Sequence, residues 1–117
     1  MSVITFYHNP RCSKSRAALA LLEDSDRDVH VVEYLKTPPT ATELKALIAA
    51  LGLEPRALLR TGEDEYRELG LDNPSLGNDA LVDAMVSHPR LIERPIAVVD
   101  GRAVIGRPPE RVLELLS

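Results

Sequence analysis

One cysteine stands among the 117 residues, Cys12, and its neighbours are the groups that thiol chemistry uses. The run is Tyr7-His8-Asn9-Pro10-Arg11-Cys12-Ser13-Lys14-Ser15-Arg16. A lone cysteine is as a rule a small buried hydrophobe. Here His8, Asn9, Arg11, Ser13, Lys14 and Ser15 make a polar loop, which favours a reactive thiol. A dithiol redox protein would carry a second cysteine where Ser15 stands. Ser15 can hydrogen-bond a thiolate but cannot resolve a disulfide, so an oxidised Cys12 must be cleared by a thiol from another molecule. A phosphatase loop is excluded, because Ala18 occupies the position where that loop needs an arginine. His8 lies just upstream. As an imidazolium it would lower the thiol pKa; as a neutral ring it would serve as a strand-end hydrogen bonder.

Arginines are the second chemical signal. Arg60 ends the run Arg56-Ala57-Leu58-Leu59-Arg60, Arg94 precedes Pro95, and Arg107 follows Gly106. The planar fork of arginine suits tetrahedral oxyanions. Arg94 and Arg107 flank one hairpin, so they can point at the same place. Taken singly, each of the three is more commonly a solvated surface residue. Arg94-Pro95 is a place where a cis peptide bond is useful, since a proline enters a strand there after a residue that must stay extended; an ordinary trans edge-strand proline is the other reading.

The elements that must position these residues can be read in order. Val3-Ile4-Thr5-Phe6-Tyr7 is a strand, Cys12 follows its end, and a helical pattern with Ala18, Leu21 and Leu22 on one face begins at Ser13. Cys12 therefore sits at a helix N-terminus, where unpaired amides favour negative charge. Val29 to Tyr34 is a second strand, which favours a parallel βαβ unit. Pro38-Pro39 breaks the chain. Thr40 and Glu43 form a capping box for a helix bearing Leu44, Leu47, Ile48 and Leu51, and Gly52 stops it. Arg56 to Arg60 and Asp64 to Leu69 are two further short helices. A third runs from Ala80 to Val86, capped by Asn78 or Asp79. Ile96 to Val99 and Ala103 to Ile105 are strands joined by Asp100-Gly101, a strong hairpin signal. Pro108-Pro109 opens a last helix, packed down by Val112, Leu113 and Leu116.

The fold expected from this order is α/β, thioredoxin-like (glutaredoxin-type): a β-α-β…β-β-α mixed sheet with a helical insertion, in a single domain over residues 1–117. Lys and Arg total 14 against 18 Asp and Glu, a net charge of -4, so no overall field for nucleic acid exists. No run of about 18 apolar residues predicts a membrane span. The N-terminal residues lack the basic and apolar segments of a signal peptide. One cysteine cannot staple a secreted scaffold. A reducing cytoplasm is the expected location. His8, His30 and His88 lack a ligand spacing with carboxylates or Cys12, so no metal is expected.

The Cys12 run resembles the active-site loop of the glutaredoxin-dependent arsenate reductase (ArsC-type) family. So do Tyr34-Leu35-Lys36-Thr37-Pro38-Pro39, Arg56-Ala57-Leu58-Leu59-Arg60, Leu69-Gly70-Leu71, His88-Pro89-Arg90-Leu91-Ile92-Glu93-Arg94-Pro95-Ile96 and Gly106-Arg107-Pro108. The resemblance covers essentially the whole chain, as a short member without the C-terminal extension of some others. It implies that Cys12 is the nucleophile, that Arg60, Arg94 and Arg107 bind the oxyanion, that His8 tunes Cys12, that Ser15 helps hold its thiolate, and that Pro95 lies against the active-site loop. It further implies reduction of arsenate to arsenite through a Cys12–arsenic intermediate. Glutathione then displaces oxygen and reduces arsenic, and glutaredoxin clears the mixed disulfide. No bound cofactor is implied; glutathione is a co-substrate, and the protein acts as a monomer. Two other readings share the fold: an Spx-type redox adaptor that binds RNA polymerase, and a monothiol reductase acting on another substrate. Ser15 and Arg107 favour the enzyme, since such adaptors use Cys-x-x-Cys and lack the arginine after the hairpin.

Overall fold

The computed structural model describes residues 3–116 and divides the chain into two compact units, residues 3–37 with 94–116 and residues 38–93. The first unit is a four-stranded mixed sheet with two helical elements. Its strands are β1 (Ile4–Tyr7), β2 (Val29–Val32), β3 (Ile96–Val99) and β4 (Arg102–Ile105), in the order β2-β1-β3-β4. β1 and β2 are parallel, with Phe6 opposite Val31, so the connection between them must cross over, and α1 (Ser13–Glu23) does this. β3 runs antiparallel to both β1 and β4. This is the thioredoxin-like α/β arrangement that the order of sequence signals predicts.

The alternating burial of β1 follows from its pleat: Ile4 and Phe6 are fully buried and Thr5 and Tyr7 only partly so. Ile4 and Phe6 join Ala18 and Leu22 of α1, Ala97, Val99 and Val104 in one apolar cluster. Burying each large side chain there contributes roughly 1.5–3 kcal/mol. β3 and β4 meet through a two-residue loop in which Asp100 and Gly101 both have positive φ, 52° and 76°. That is the type I′ geometry which Asp-Gly favours, because its twist matches the strands it joins.

The last element departs from expectation. Residues Pro109–Leu116 form a 3-10 helix rather than an α-helix. Arg111 N–H donates to the Pro108 carbonyl at 3.0 Å, the i to i+3 bond of that geometry. Its repeat of three places Val112 and Leu115 on the inner face, both buried, and leaves Leu113 39% exposed.

The second unit is helical. Its helices are α2 (Ala41–Leu51), α3 (Pro55–Leu58), α4 (Asp64–Glu68) and α5 (Asn78–Ser87), followed by a 3-10 turn, Pro89–Leu91. α2 starts at the expected capping box. Thr40 Oγ1 accepts from the Glu43 amide at 3.1 Å, and Glu43 Oε1 accepts from the Thr40 amide at 3.0 Å. It ends at Gly52 in the left-handed conformation. Leu44, Leu47 and Ile48 are its buried stripe, and α2 packs on α5, which buries Leu81, Val82 and Met85. The cap of α5 is Gly77; Asn78 and Asp79 both lie inside the first turn, and no side chain caps the start. Among the described residues no helix is long and apolar enough to cross a membrane.

Candidate active site

The turn between β1 and α1 is built by its own polar residues. Asn9 Oδ1 accepts the Arg11 amide at 3.0 Å, and the Asn9 carbonyl accepts the Cys12 amide at 3.0 Å. This double closure is what a short asparagine side chain is suited to make. It delivers Cys12 to the N-cap position of α1 in an extended conformation, with no side chain capping the helix. The amides of Lys14 and Ser15 turn to the Cys12 sulfur instead.

Cys12 is partly buried, and burial alone pushes its thiol pKa up. The Ser15 amide, the Arg94 guanidinium and the Lys14 amide oppose this, and together they hold the thiol below its ordinary value. Arg94 comes from the chain just before β3. Burial works against its charge, but Tyr34 and the Cys12 sulfur more than compensate and raise its pKa. Tyr34, 1% exposed after β2, thus bears on the arginine that serves the nucleophile. No sequence motif assigns Tyr34 a role. Its only signal was its place in the Tyr34–Pro39 segment.

Arg107 is anchored beside Arg94, its Nε donating to the Arg94 carbonyl at 2.7 Å. The Arg94–Pro95 bond is cis, the first of its two readings, and so is Arg107–Pro108, which was not anticipated. Pro95 and Gly106 lock the two strand ends together, since the Gly106 amide donates to the Pro95 carbonyl at 2.8 Å. No larger residue fits there: a Cβ on Gly106 would lie 2.9 Å from Pro95 Cγ and 3.1 Å from Val112 Cγ1.

His8 and Ser15 meet inside the loop. Ser15 is fully buried, and its hydroxyl oxygen accepts the Asn9 amide at 3.0 Å and lies 2.7 Å from His8 Nδ1. The hydroxyl is thereby taken up by the loop; the part of Ser15 that reaches the sulfur is its backbone N–H. Burial lowers the His8 pKa from 6.5, opposed by Glu33 and assisted by Arg16. The lowered pKa disfavours the imidazolium, and His8 supports the loop through Ser15. Arg60 belongs to the helical unit. There its amide donates to the Leu91 carbonyl at 2.8 Å, and its Nη1 lies 2.7 Å from Glu93 Oε1. No sequence signal marks that carboxylate partner.

The protein-family model that matches this chain is described as the ArsC family, and it spans residues 7–115. The chain belongs to the ArsC family. Its relatives include the arsenate reductase of Neisseria meningitidis serogroup A, 52% identical over 99% of this chain and 100% of that protein. The arsenate reductase of Escherichia coli K12 is 47% identical over 99% of this chain and 82% of its own length. Among solved structures, an arsenate reductase from Vibrio cholerae superposes with a TM-score of 0.94 at 53% identity, covering 97% of each chain. ArsC membership agrees with the geometry, in which a thiol at an open helix start faces an arginine.

Proposed function

We propose that this protein reduces arsenate to arsenite at Cys12, with glutathione and glutaredoxin as reductants. The observation that carries the reading is the Arg94 guanidinium set against a thiol of lowered pKa at the start of α1. A thiolate there is a nucleophile, and the same cation and amides stabilise an oxyanion as it forms. The names of the relatives supply the element, arsenic, which the geometry alone leaves open.

The steps balance. The Cys12 thiolate attacks As(V), and one arsenate oxygen leaves as water with two protons. A glutathione thiolate then displaces a second oxygen from arsenic, which leaves as water. The Cys12 and glutathione sulfurs couple to each other, both sulfur–arsenic bonds break, and one electron pair stays on arsenic, which takes up water and departs as As(III). Cys12 is left as a mixed disulfide with glutathione. Glutaredoxin attacks that disulfide and returns Cys12 to the thiol, a step no second cysteine in this chain can perform. Arg94 and Arg107 serve the oxyanion, His8 and Ser15 hold the loop, and Pro95 backs the site. The contribution of Arg60 to the same reaction is read from its own alanine variant. The reducing cytoplasm supplies the thiols.

The test is a coupled assay with arsenate, glutathione, glutaredoxin, glutathione reductase and NADPH. Arsenate-dependent NADPH consumption that vanishes in Cys12→Ser supports the proposal. A wild type that consumes no NADPH on adding arsenate overturns it.

A further inference from the structure

Within the helical unit a short antiparallel bridge holds Arg60 and Glu93 together. The Arg60 amide donates to the Leu91 carbonyl at 2.8 Å, the Glu93 amide donates to the Leu58 carbonyl at 2.9 Å, and Leu59 lies opposite Ile92. Leu58, Leu59, Leu91 and Ile92 are all buried, so packing fixes the backbone that carries both side chains. Arg60 Nη1 donates to Glu93 Oε1 at 2.7 Å, a charge-assisted hydrogen bond. We propose that Glu93 is a positioning residue that controls anion binding at Arg60. Its carboxylate aims the guanidinium and offsets its charge, so an oxyanion must compete with Glu93 for that cation, an inference that rests on assigning Arg60 to the oxyanion.

The pair differs from the surface ion pairs of the same unit. Its side chains are 21% and 27% exposed, whereas Arg90, which meets Glu63 and Glu65, is 61% exposed. Shielded charges are screened less by water and salt, so the charge that Glu93 offsets is one an anion would feel. The guanidinium also has bonding capacity left over. Arg60 Nε is buried and has no hydrogen-bond partner among the described residues. A buried N–H without an acceptor is costly, and a tetrahedral oxyanion is an acceptor that the arginine fork suits. Two opposed effects therefore meet at Arg60: an open donor that attracts an anion and a carboxylate that repels it.

The experiment needs neither arsenate nor turnover. Inorganic phosphate, a tetrahedral oxyanion that thiols do not reduce, is titrated into the reduced full chain, and calorimetry gives its affinity. Glu93→Gln keeps an oxygen acceptor at the same reach and removes the charge. It should tighten phosphate binding about tenfold, intermediate between the effect of an exposed pair and that of an unscreened charge. Its stability in urea should stay level or fall. A merely structural Glu93 would lose affinity together with stability. Glu93→Asp restores the charge and should bring the affinity back to within about threefold of wild type. In the double variant Arg60→Gln, Glu93→Gln the gain should disappear, because Glu93 acts through Arg60. Phosphate binding that Glu93→Gln leaves unchanged or weakens overturns the proposal, and so does a gain that survives in the double variant. A wild type that reduces no arsenate would leave this comparison standing, so the two proposals fail separately.

Discussion

The chain begins two eleven-residue helices in opposite ways. α2 closes its own start: the Thr40 side chain takes the Glu43 amide, and Glu43 reaches back to the Thr40 amide. α1 leaves its start open: Cys12 is the N-cap, no side chain caps the helix, and the Lys14 and Ser15 amides turn to sulfur. Both starts obey the same need, since the first amides of a helix lack partners within it. At α2 the need is met by stability alone. At α1 it is met by a group that can react, with Arg94 added behind it. The site is therefore a helix cap given over to chemistry.

The variant that should separate the two starts most widely is Cys12→Ser. Serine is a better N-cap than cysteine, so the variant should fold as stably as wild type or gain up to about 1 kcal/mol. Its arsenate turnover should vanish, because no sulfur–arsenic bond can form. A Cys12→Ser protein that loses stability in urea titration would break the idea that Cys12 gives up capping strength for reactivity.

Arg94→Ala should come next, lowering kcat by about 100-fold to 1,000-fold, the range seen when one stabilising donor is removed. Its thiol midpoint should also rise, which a purely structural arginine would not cause. Tyr34→Phe keeps the buried ring and removes only the hydroxyl beside Arg94, so its midpoint should move in the same direction by less.

Smaller again is Thr40→Ala at the closed start. It should cost about 1 kcal/mol in urea unfolding and leave the Cys12 midpoint where it is. Loss of activity out of proportion to that destabilisation would show that the two starts are not independent.

His8 gives the mildest effect. Its folded pKa lies below the unfolded value of about 6.5. The stability it contributes is complete above that value and is lost as pH falls through the folded one. Wild type should therefore weaken between pH 7 and pH 5 more than His8→Gln does. Equal weakening in both would remove the neutral His8–Ser15 contact from the account.

The signals that could be read in the sequence were the local ones. Thr40 with Glu43 fixes a capping box within four residues, and Asp100-Gly101 fixes a turn within two. Cys12 at a strand-to-helix junction follows from periodicity on either side of it. What escaped depends on partners far along the chain or on a choice between close geometries. Tyr34 matters because Arg94 comes back against it, a pairing sixty residues apart. The partner of the Ser15 hydroxyl is His8 rather than sulfur, which depends on how the turn folds the hydroxyl inward. Residues Pro109–Leu116 have leucines that fit an α-helix, but a three-residue repeat is what buries Val112 and Leu115 in the cluster with α1 and the sheet. Gly77 displaces Asn78 and Asp79 as the cap of α5, since a glycine also accepts that position with little cost.

The open helix start and Arg94 together lower the pKa of the Cys12 thiol, and that statement is tested most directly by the rate of Cys12 alkylation by iodoacetamide against pH. With one cysteine in the chain, the curve belongs to one group. The account predicts a midpoint clearly below the free-thiol value of about 8.5, moving up in Arg94→Ala. A wild-type midpoint at or above about 8.5 would contradict it.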